Sequence, residues 1–585
     1  AHANLTVSNA QNSTTLAPGA TLNLHGNTLA TGSLTLGIRP FPYSGFNVGT
    51  VFFNKQGGSF NAQSLAVLGG NHLIVEPEDI VSHQLSATGV GSTISVARPL
   101  SLPGQINITD GGTLNLAHDL QAYLTSVSGT AGTINLQGHH LSGGFLQLIG
   151  QSPGTIQFNK QGGTFTVESL TLRTGDSFSI DAGDNVTRVL QVDSPGSVAT
   201  INRQLDLQGG GITDGLYVAD GGLVVVNQPL STVRMIIDGG TVDAHANLTV
   251  SNAQNSTTLA PGATLNLHGH TLETGSLWIG VRPFPYPGFN QVGTVFFNKQ
   301  GGSFTAQSLA VYGGNTISID AADNVTANVT ATGAGSTVVA NRALTLTGAM
   351  NVSSGGTIDL FANASATGSV QIGGGGGTIN LHGSTLTTPY FALNNSGSGA
   401  VAFNKQGGSI QVERVYLRTG GAFSIDAADS VARDIQVEGA GTILTINKAL
   451  HLASGAVQDG LRAVSGGTIV VQQPVSANQL YLDSGSTIDA FADLTIGTSS
   501  QHATTIGPGA TFNLHGNALT TSNLIVGQIF TPPYPVGLTA FNKQGGSFNA
   551  QSLAVYGENT ISIDAADNVT AGMTVDGAGS TLAVN

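Results

Sequence analysis

Apolar and polar residues alternate along most of the chain in short runs that open at a turn. Gly111-Gly112-Thr113-Leu114-Asn115-Leu116, Gly132-Thr133-Ile134-Asn135-Leu136 and Gly154-Thr155-Ile156-Gln157-Phe158 follow one another, and Ser177-Phe178-Ser179-Ile180 and Ser197-Val198-Ala199-Thr200 continue the series. Alternation of period two predicts a strand with one buried face, and the leading glycine predicts the turn before it. The runs return every 20–24 residues or so. A turn-and-strand unit of that size cannot close a core of its own, whereas stacked units share one. No stretch sustains a 3.6-residue period. The expected fold is all-β, a parallel β-helix with coils of about 20–24 residues.

A longer repeat lies over the short one. Residues 1–26 and 244–269 are identical, an offset of 243 residues, and a diverged third copy opens at Ala490-Phe491-Ala492-Asp493-Leu494. The chain divides into copy one at 1–243, copy two at 244–489 and a partial copy three at 490–585, expected to form one continuous solenoid. Residues 1 and 585 both fall inside a repeat, so the sequence reads as a piece of something longer. Each full copy holds two related halves marked by Phe-Asn-Lys-Gln-Gly-Gly, whose lysines are Lys55, Lys160, Lys299, Lys405 and Lys543.

The segment Gly19-Ala20-Thr21-Leu22-Asn23-Leu24-His25-Gly26-Asn27-Thr28-Leu29, followed by Gly32-Ser33-Leu34-Thr35-Leu36-Gly37, recurs as Thr264–Gly269 and Thr378–Gly383. This pattern resembles the autotransporter-associated strand repeats of large bacterial surface proteins, in a style that covers most of the chain. The resemblance implies a secreted β-helical stalk rather than a chemistry. It also implies few cysteines, which suits chains exported unfolded.

Composition narrows the function classes. There is no cysteine, which excludes disulfide frameworks, thiolate metal sites and thiol catalysis. Only 9% of residues are charged, and 32 acidic against 18 basic side chains leave a formal charge of −14, a poor match to nucleic acid. The 40% hydrophobic fraction argues against disorder, and no apolar run approaches the roughly 20 residues of a membrane span. No cofactor is expected.

The lysine motif carries a one-coil relationship of 22 residues, which sets Asn159 over Asp181, Asn298 over Asp320, Asn404 over Asp426 and Asn542 over Asp564, with Asn54 over Glu76 in the most diverged half. The expectation is an Asn-to-carboxylate ladder at a corner. The adjacent lysine, Lys299 in the central copy, would neutralise that carboxylate or a neighbour such as Asp323. The functional alternative is a calcium site on Asp320-Ala321-Ala322-Asp323-Asn324 and its relatives. Calcium wants six to eight oxygens, and two carboxylates beside a lysine fall short, so no metal is expected. The histidines of Leu-His-Gly, His25, His268, His382 and His515, lie more than a hundred residues apart and read as turn residues. Asn-x-Ser/Thr triplets such as Asn4-Leu5-Thr6 read as composition.

One insertion interrupts the spacing. From Leu265 to Val295 the step is 30 residues, and the surplus is Val281-Arg282-Pro283-Phe284-Pro285-Tyr286-Pro287-Gly288-Phe289-Asn290. Copy one carries Arg39, Phe41 and Tyr43 there, and copy three carries Tyr534 between prolines. Proline keeps such a stretch out of a ladder. It is expected to project as a stiff loop, with Arg39, Phe41, Tyr43, Arg282, Phe284, Tyr286 and Tyr534 either contacting a partner or folded back on their own coil.

Polysaccharide lyases and hydrolases also use β-helices, but they need acids and bases converging in a groove. One active site needs no copy every 243 residues, so no enzyme is expected. The leading expectation is an extracellular or cell-surface structural protein, an adhesin stalk or fibre that contacts other copies of itself or a surface polymer. A carbohydrate-binding or carbohydrate-processing β-helix is the alternative.

Overall fold

A computed structural model describes the chain except for residues 8–12, 40–47, 153, 210, 212–213, 252–255, 284–289, 396–398, 453–458, 498–502 and 529–535. It comprises two compact units, Ala1–Thr305 and Ala306–Asn585. Among the described residues every regular element is a strand, and each unit is a parallel β-solenoid.

A coil of the first unit shows how the alternation builds it. Gly112–Leu116 is a short strand, Leu120–Gly129 a long one, and the next coil repeats them as Gly132–Asn135 and His140–Gly150. Short pairs with short in parallel, Thr113 with Thr133 and Leu114 with Ile134, and long pairs with long, Leu120 with Leu141. Like residues thereby stack coil upon coil, and the inward ones, such as Leu114, Ile134, Leu146 and Leu170, lose all contact with water. That continuous apolar column is the core that no single coil could close.

The second unit is built the same way. Thr337–Ala340, Gly356–Leu360 and Gly377–Asn380 stack as short strands, with Val338, Ile358 and Ile379 fully buried. Coil steps are less uniform than the sequence suggests. They run from 18 residues, Leu230 to Leu248, to 32, Leu265 to Phe297. The latter corrects the expected partner of Leu265 from Val295 to Phe297, because the inserted loop absorbs two more residues than the pattern of apolar positions indicates.

The two kinds of strand differ in continuity. In the first unit the short-strand ladder that ends at Ile156–Asn159 does not continue into Ser177–Ile180, and in the second the ladder ending at Val401–Asn404 does not continue into Ala422–Ile425. Across the same steps the long strands stay paired, Thr166 with Asn185 and Gln411 with Ser430. Every such break falls at a Phe-Asn-Lys-Gln-Gly-Gly motif.

Candidate functional site

Aromatic rings gather at the break. Phe158, Phe165 and Phe178 pack with ring centroids 5.5–5.9 Å apart, and Phe391, Phe403 and Phe423 do the same at 4.8–6.0 Å. The rings crowd this step, but three are not required: at the Lys55 motif the ladder also stops, with only Phe53 and Phe60 in contact and Leu73 in the third place. The Gln-Gly that follows makes the turn. Gln161 and Gly162 lie at φ of 50° and 85°, the two consecutive left-handed residues that a type I′ turn demands. The last glycine permits close stacking, since a Cβ on Gly163 would meet the His139 carbonyl oxygen at 2.4 Å.

Lysine bridges the break. Lys160 Nζ donates to the Ser179 carbonyl at 3.0 Å, to Asp184 Oδ2 at 2.6 Å and to Asp181 Oδ2. Lys405 does the same with Ser424, Asp426 and Asp429, and Lys543 with Ser562, Asp564 and Asp567. Lys55 contacts Ile74, Glu76 and Asp79. Each ammonium thus takes a strand-edge carbonyl that the interrupted ladder leaves open, and places its charge between two carboxylates. It also sits over an aromatic ring, 6.0 Å from Phe165 and 5.3 Å from Phe423.

The second carboxylate of each corner, Asp79, Asp184, Asp429 and Asp567, entered the sequence reading only through its relative Asp323, as the alternative partner of the lysine. Its side chain is at most 1% exposed. Asp184 Oδ1 accepts the Phe165 N–H at 3.1 Å and Oδ2 accepts the Asp181 N–H at 2.8 Å. Asp429 accepts from Ile410 at 2.9 Å and from Asp426 at 2.8 Å. Two backbone donors and a lysine offset the cost of burying this charge, which alone amounts to several kcal/mol. The available signal was the Asp-x-x-Asp spacing, from which the sequence offered Asp323 as an alternative lysine partner and in which a calcium site was weighed and set aside. The lysine ammonium occupies the place between the two carboxylates.

The outer carboxylates are acidified. Burial pushes Asp181 up, but hydrogen bonds from Asn202, Lys160 and Ser179 outweigh it and hold the group at about 2. Asp426 is likewise held at about 2 by Lys405, Asn447 and Ser424 against its own burial.

The motif asparagines point the other way. Asn159 Nδ2 donates to Asn135 Oδ1 at 2.8 Å, and Asn54, Asn298, Asn404 and Asn542 donate at 2.7 Å to Asn23, Asn266, Asn380 and Asn513. The carboxylates accept from the following coil instead, Asn202 to Asp181 and Asn447 to Asp426, at 2.9 and 2.8 Å. Amide and carboxylate ladders therefore run up to each corner from opposite sides and meet through lysine, because their short strands are not register partners. Lys299 and Asp320 belong to different units. Lys299 lies 5.7 Å over Phe304, and Asp320 accepts from Ser318 and Asn341 at 2.9 and 2.8 Å.

The Leu-His-Gly histidines occupy turns with positive φ, 45–46° at His25, His268, His382 and His515. Each ring stacks on an aromatic ring one coil back: His268 on His245 at 4.4 Å, His382 on Phe361 and His515 on Phe491 at 4.1 Å. Asp243, His245 and His268 lie close enough to be considered for a metal. In the observed stack the two imidazoles are only 8° from parallel, so their in-plane lone pairs cannot converge on one ion. Phenylalanine replaces His245 in the stacks on His382 and His515, and histidine returns there, as His2, in the stack on His25.

Of the loop residues, Phe41, Tyr43, Phe284, Tyr286 and Tyr534 lie outside the described residues. The loop bases are closed by single antiparallel bridges, Ile38 to Val48, Val281 to Val292 and Gln528 to Val536. Arg39 is exposed. Arg282 is bound to its own unit, donating to Asp238 Oδ1 at 2.7 and 3.1 Å and to Gln291 Oε1 at 3.1 Å.

A charged face that the sequence reading did not mark crosses the second unit. Arg414 and Arg433 both reach Asp459, at 3.4 and 3.0 Å, Arg462 lies over Tyr481, and Tyr416 donates to Glu438 at 2.6 Å. Burial raises Asp434 above the ordinary carboxylate range despite the Gly460 N–H and nearby arginines. No protein-family description, no curated protein and no solved structure matches the chain.

Proposed function

We propose that the chain is an extracellular structural protein, a module of a stalk or fibre of the autotransporter-repeat kind that works by contact rather than turnover. One observation carries this reading. The lysine corner is built repeatedly with the same partners, and both of its carboxylates are engaged inside the chain. Such a corner reinforces a scaffold and leaves no acid or base free to act on a substrate.

Contact with further copies is tested by sedimentation velocity and negative-stain microscopy over a hundredfold range of concentration. Concentration-dependent association, reduced when Phe41, Tyr43, Phe284 and Tyr286 are replaced together by serine, supports the reading. A single monomeric species at every concentration removes self-assembly.

A further inference from the structure

We propose that the first unit carries a binding site for a neutral, flat β-linked hexose chain, centred on Tyr123. It deepens the reading above by naming a polymer partner, and it uses a face separate from the corners and the loops.

The site is a groove of about 530 Å³ across four coils, lined by Ser101, Pro103, Gln121, Tyr123, Gly143–Gly144 and Glu168, among others. Two columns of side chains build it. Ser101, Gln121, Ser142 and Thr166 are register partners on successive long strands, so they stand about 4.8 Å apart. Two residues further along the same strands run Pro103, Tyr123, Gly144 and Glu168.

Tyr123 is 60% exposed, which is unusual for so large a ring. It is nevertheless held in place by an edge contact to Phe145, at 5.4 Å and 74°. Gly144 forms the floor beside it, where a Cβ would lie 3.5 Å from the tyrosine ring. Gly143 cannot carry a side chain either, since its Cβ would meet the Ala122 carbonyl oxygen at 1.9 Å. The groove is therefore an open aromatic platform with a bare floor and a rigid rim.

Its hydrogen-bonding chemistry is neutral. Ser101 donates to Gln121 Oε1 at 3.2 Å, which leaves the Gln121 amide N–H2 and the Ser142 and Thr166 hydroxyls without a protein partner among the described residues. Glu168 is paired with Arg188 at 3.2 Å. Aromatic stacking with a row of neutral donors and acceptors fits a sugar chain, whose C–H faces cover a ring while its hydroxyls reach sideways. A polyanion would need a basic cluster, and a peptide strand would need an open sheet edge. The groove offers neither.

The internal repeat supplies the control. Leu344, Ala364 and Leu386 occupy the register of Leu100, Leu120 and Leu141. Three residues on, copy two has Thr347, Thr367 and Pro389 in place of Pro103, Tyr123 and Gly144. Its threonines are tied to the backbone one coil back, Thr347 to the Thr326 carbonyl at 3.1 Å and Thr367 to that of Thr347 at 2.8 Å. The same coil position can thus be sealed, and copy one leaves it open.

The test is isothermal titration and saturation-transfer NMR of the full chain with cellohexaose, with maltohexaose as a bent control. Binding of cellohexaose but not maltohexaose is expected, with at least a tenfold loss in Tyr123→Thr, a smaller loss in Gln121→Ala and retention in Tyr123→Phe. Circular dichroism should be unchanged in all three, since Tyr123 is exposed. No cellohexaose binding by the wild type, or equal binding by Tyr123→Thr, overturns the site. Because the probe is soluble and monovalent, that failure leaves self-association untouched, and loss of self-association leaves this result untouched.

Discussion

The long-strand faces over residues 144–215 and 389–460 occupy the same place in their repeats, and they share a flank but not a centre. Arg188 bridges Glu168 and Asp214 at 3.2 Å each, and Arg433 bridges Glu413 and Asp459 at 3.4 and 3.0 Å. Between these matched ion pairs, copy one stacks Phe145, Ser169, Val189 and Gly215, whereas copy two stacks Tyr390, Arg414, Asp434 and Gly460. The lysine corners behind the two faces match nearly atom for atom. Buried positions exchange one apolar side chain for another, Leu146 for Phe391 and Phe165 for Ile410, whereas the outward columns change in charge and polarity. Buried corners specify the stack, and outward columns are where one copy can acquire chemistry that another lacks.

The strongest way to break this comparison is to remove the shared part. Lys160→Met should strip the compensating charge from the buried Asp184 and cost about 3 kcal/mol, and Lys405→Met should cost the same within error. Local opening measured by hydrogen exchange at Phe165 and Ile410 checks both. A large inequality would mean that the outward faces, not the corners, set stability.

The second approach is pH. Asp181 and Asp426 titrate at about 2 in the fold against 3.8 for an unperturbed carboxyl. Their contribution is present above the ordinary value and is lost as the pH falls from 3.8 to about 2, in both units alike. Asp434 is shifted upward, so it opposes folding as the pH rises from the ordinary carboxylate value through its raised one. Asp434→Val, which installs the residue of copy one, should remove that slope while leaving the acid limb intact. Urea midpoints across the pH range report it, and an unchanged slope would locate the titration elsewhere.

A smaller effect separates the two ladders. Asn159→Leu deletes one hydrogen bond to Asn135 without exposing Asp181 and should cost about 1 kcal/mol. A cost near that of Lys160→Met would show that the amide supports the carboxylate after all. The smallest effect concerns the histidine turns. Phe361→Ala removes a largely exposed stack on His382 and should cost about 0.5 kcal/mol, seen as a small shift in thermal midpoint.

The coil was legible because its period is written in every strand. The lysine was legible as the neutraliser of an acid, since few other cations exist to play the part. The position of Asp184 was offered, through Asp323, as a partner of the lysine, but its burial was not legible, because an aspartate three residues after another looks the same whether it binds an ion, caps a turn or lies in a core. Only the fold brings the Phe165 N–H to it. The direction of Asn159 was hidden for a related reason: its short strand is paired on one side only, and no single-position pattern records where a ladder stops. Tyr123 was missed because its meaning lies in Gly143 and Gly144 on the next coil.

One property of the corner bears on how such a chain changes length. Lys160, Asp181, Asp184 and the carbonyl of Ser179 all fall within 24 residues of one another. A tandem duplication or deletion of any segment holding that stretch inserts or removes a complete joint, the lysine with both of its carboxylates, and strands no half of one. Unequal recombination between near-identical gene segments, such as those encoding residues 1–26 and 244–269, would therefore produce longer and shorter variants that still fold, so that length can drift across generations while the chemistry of each coil is preserved.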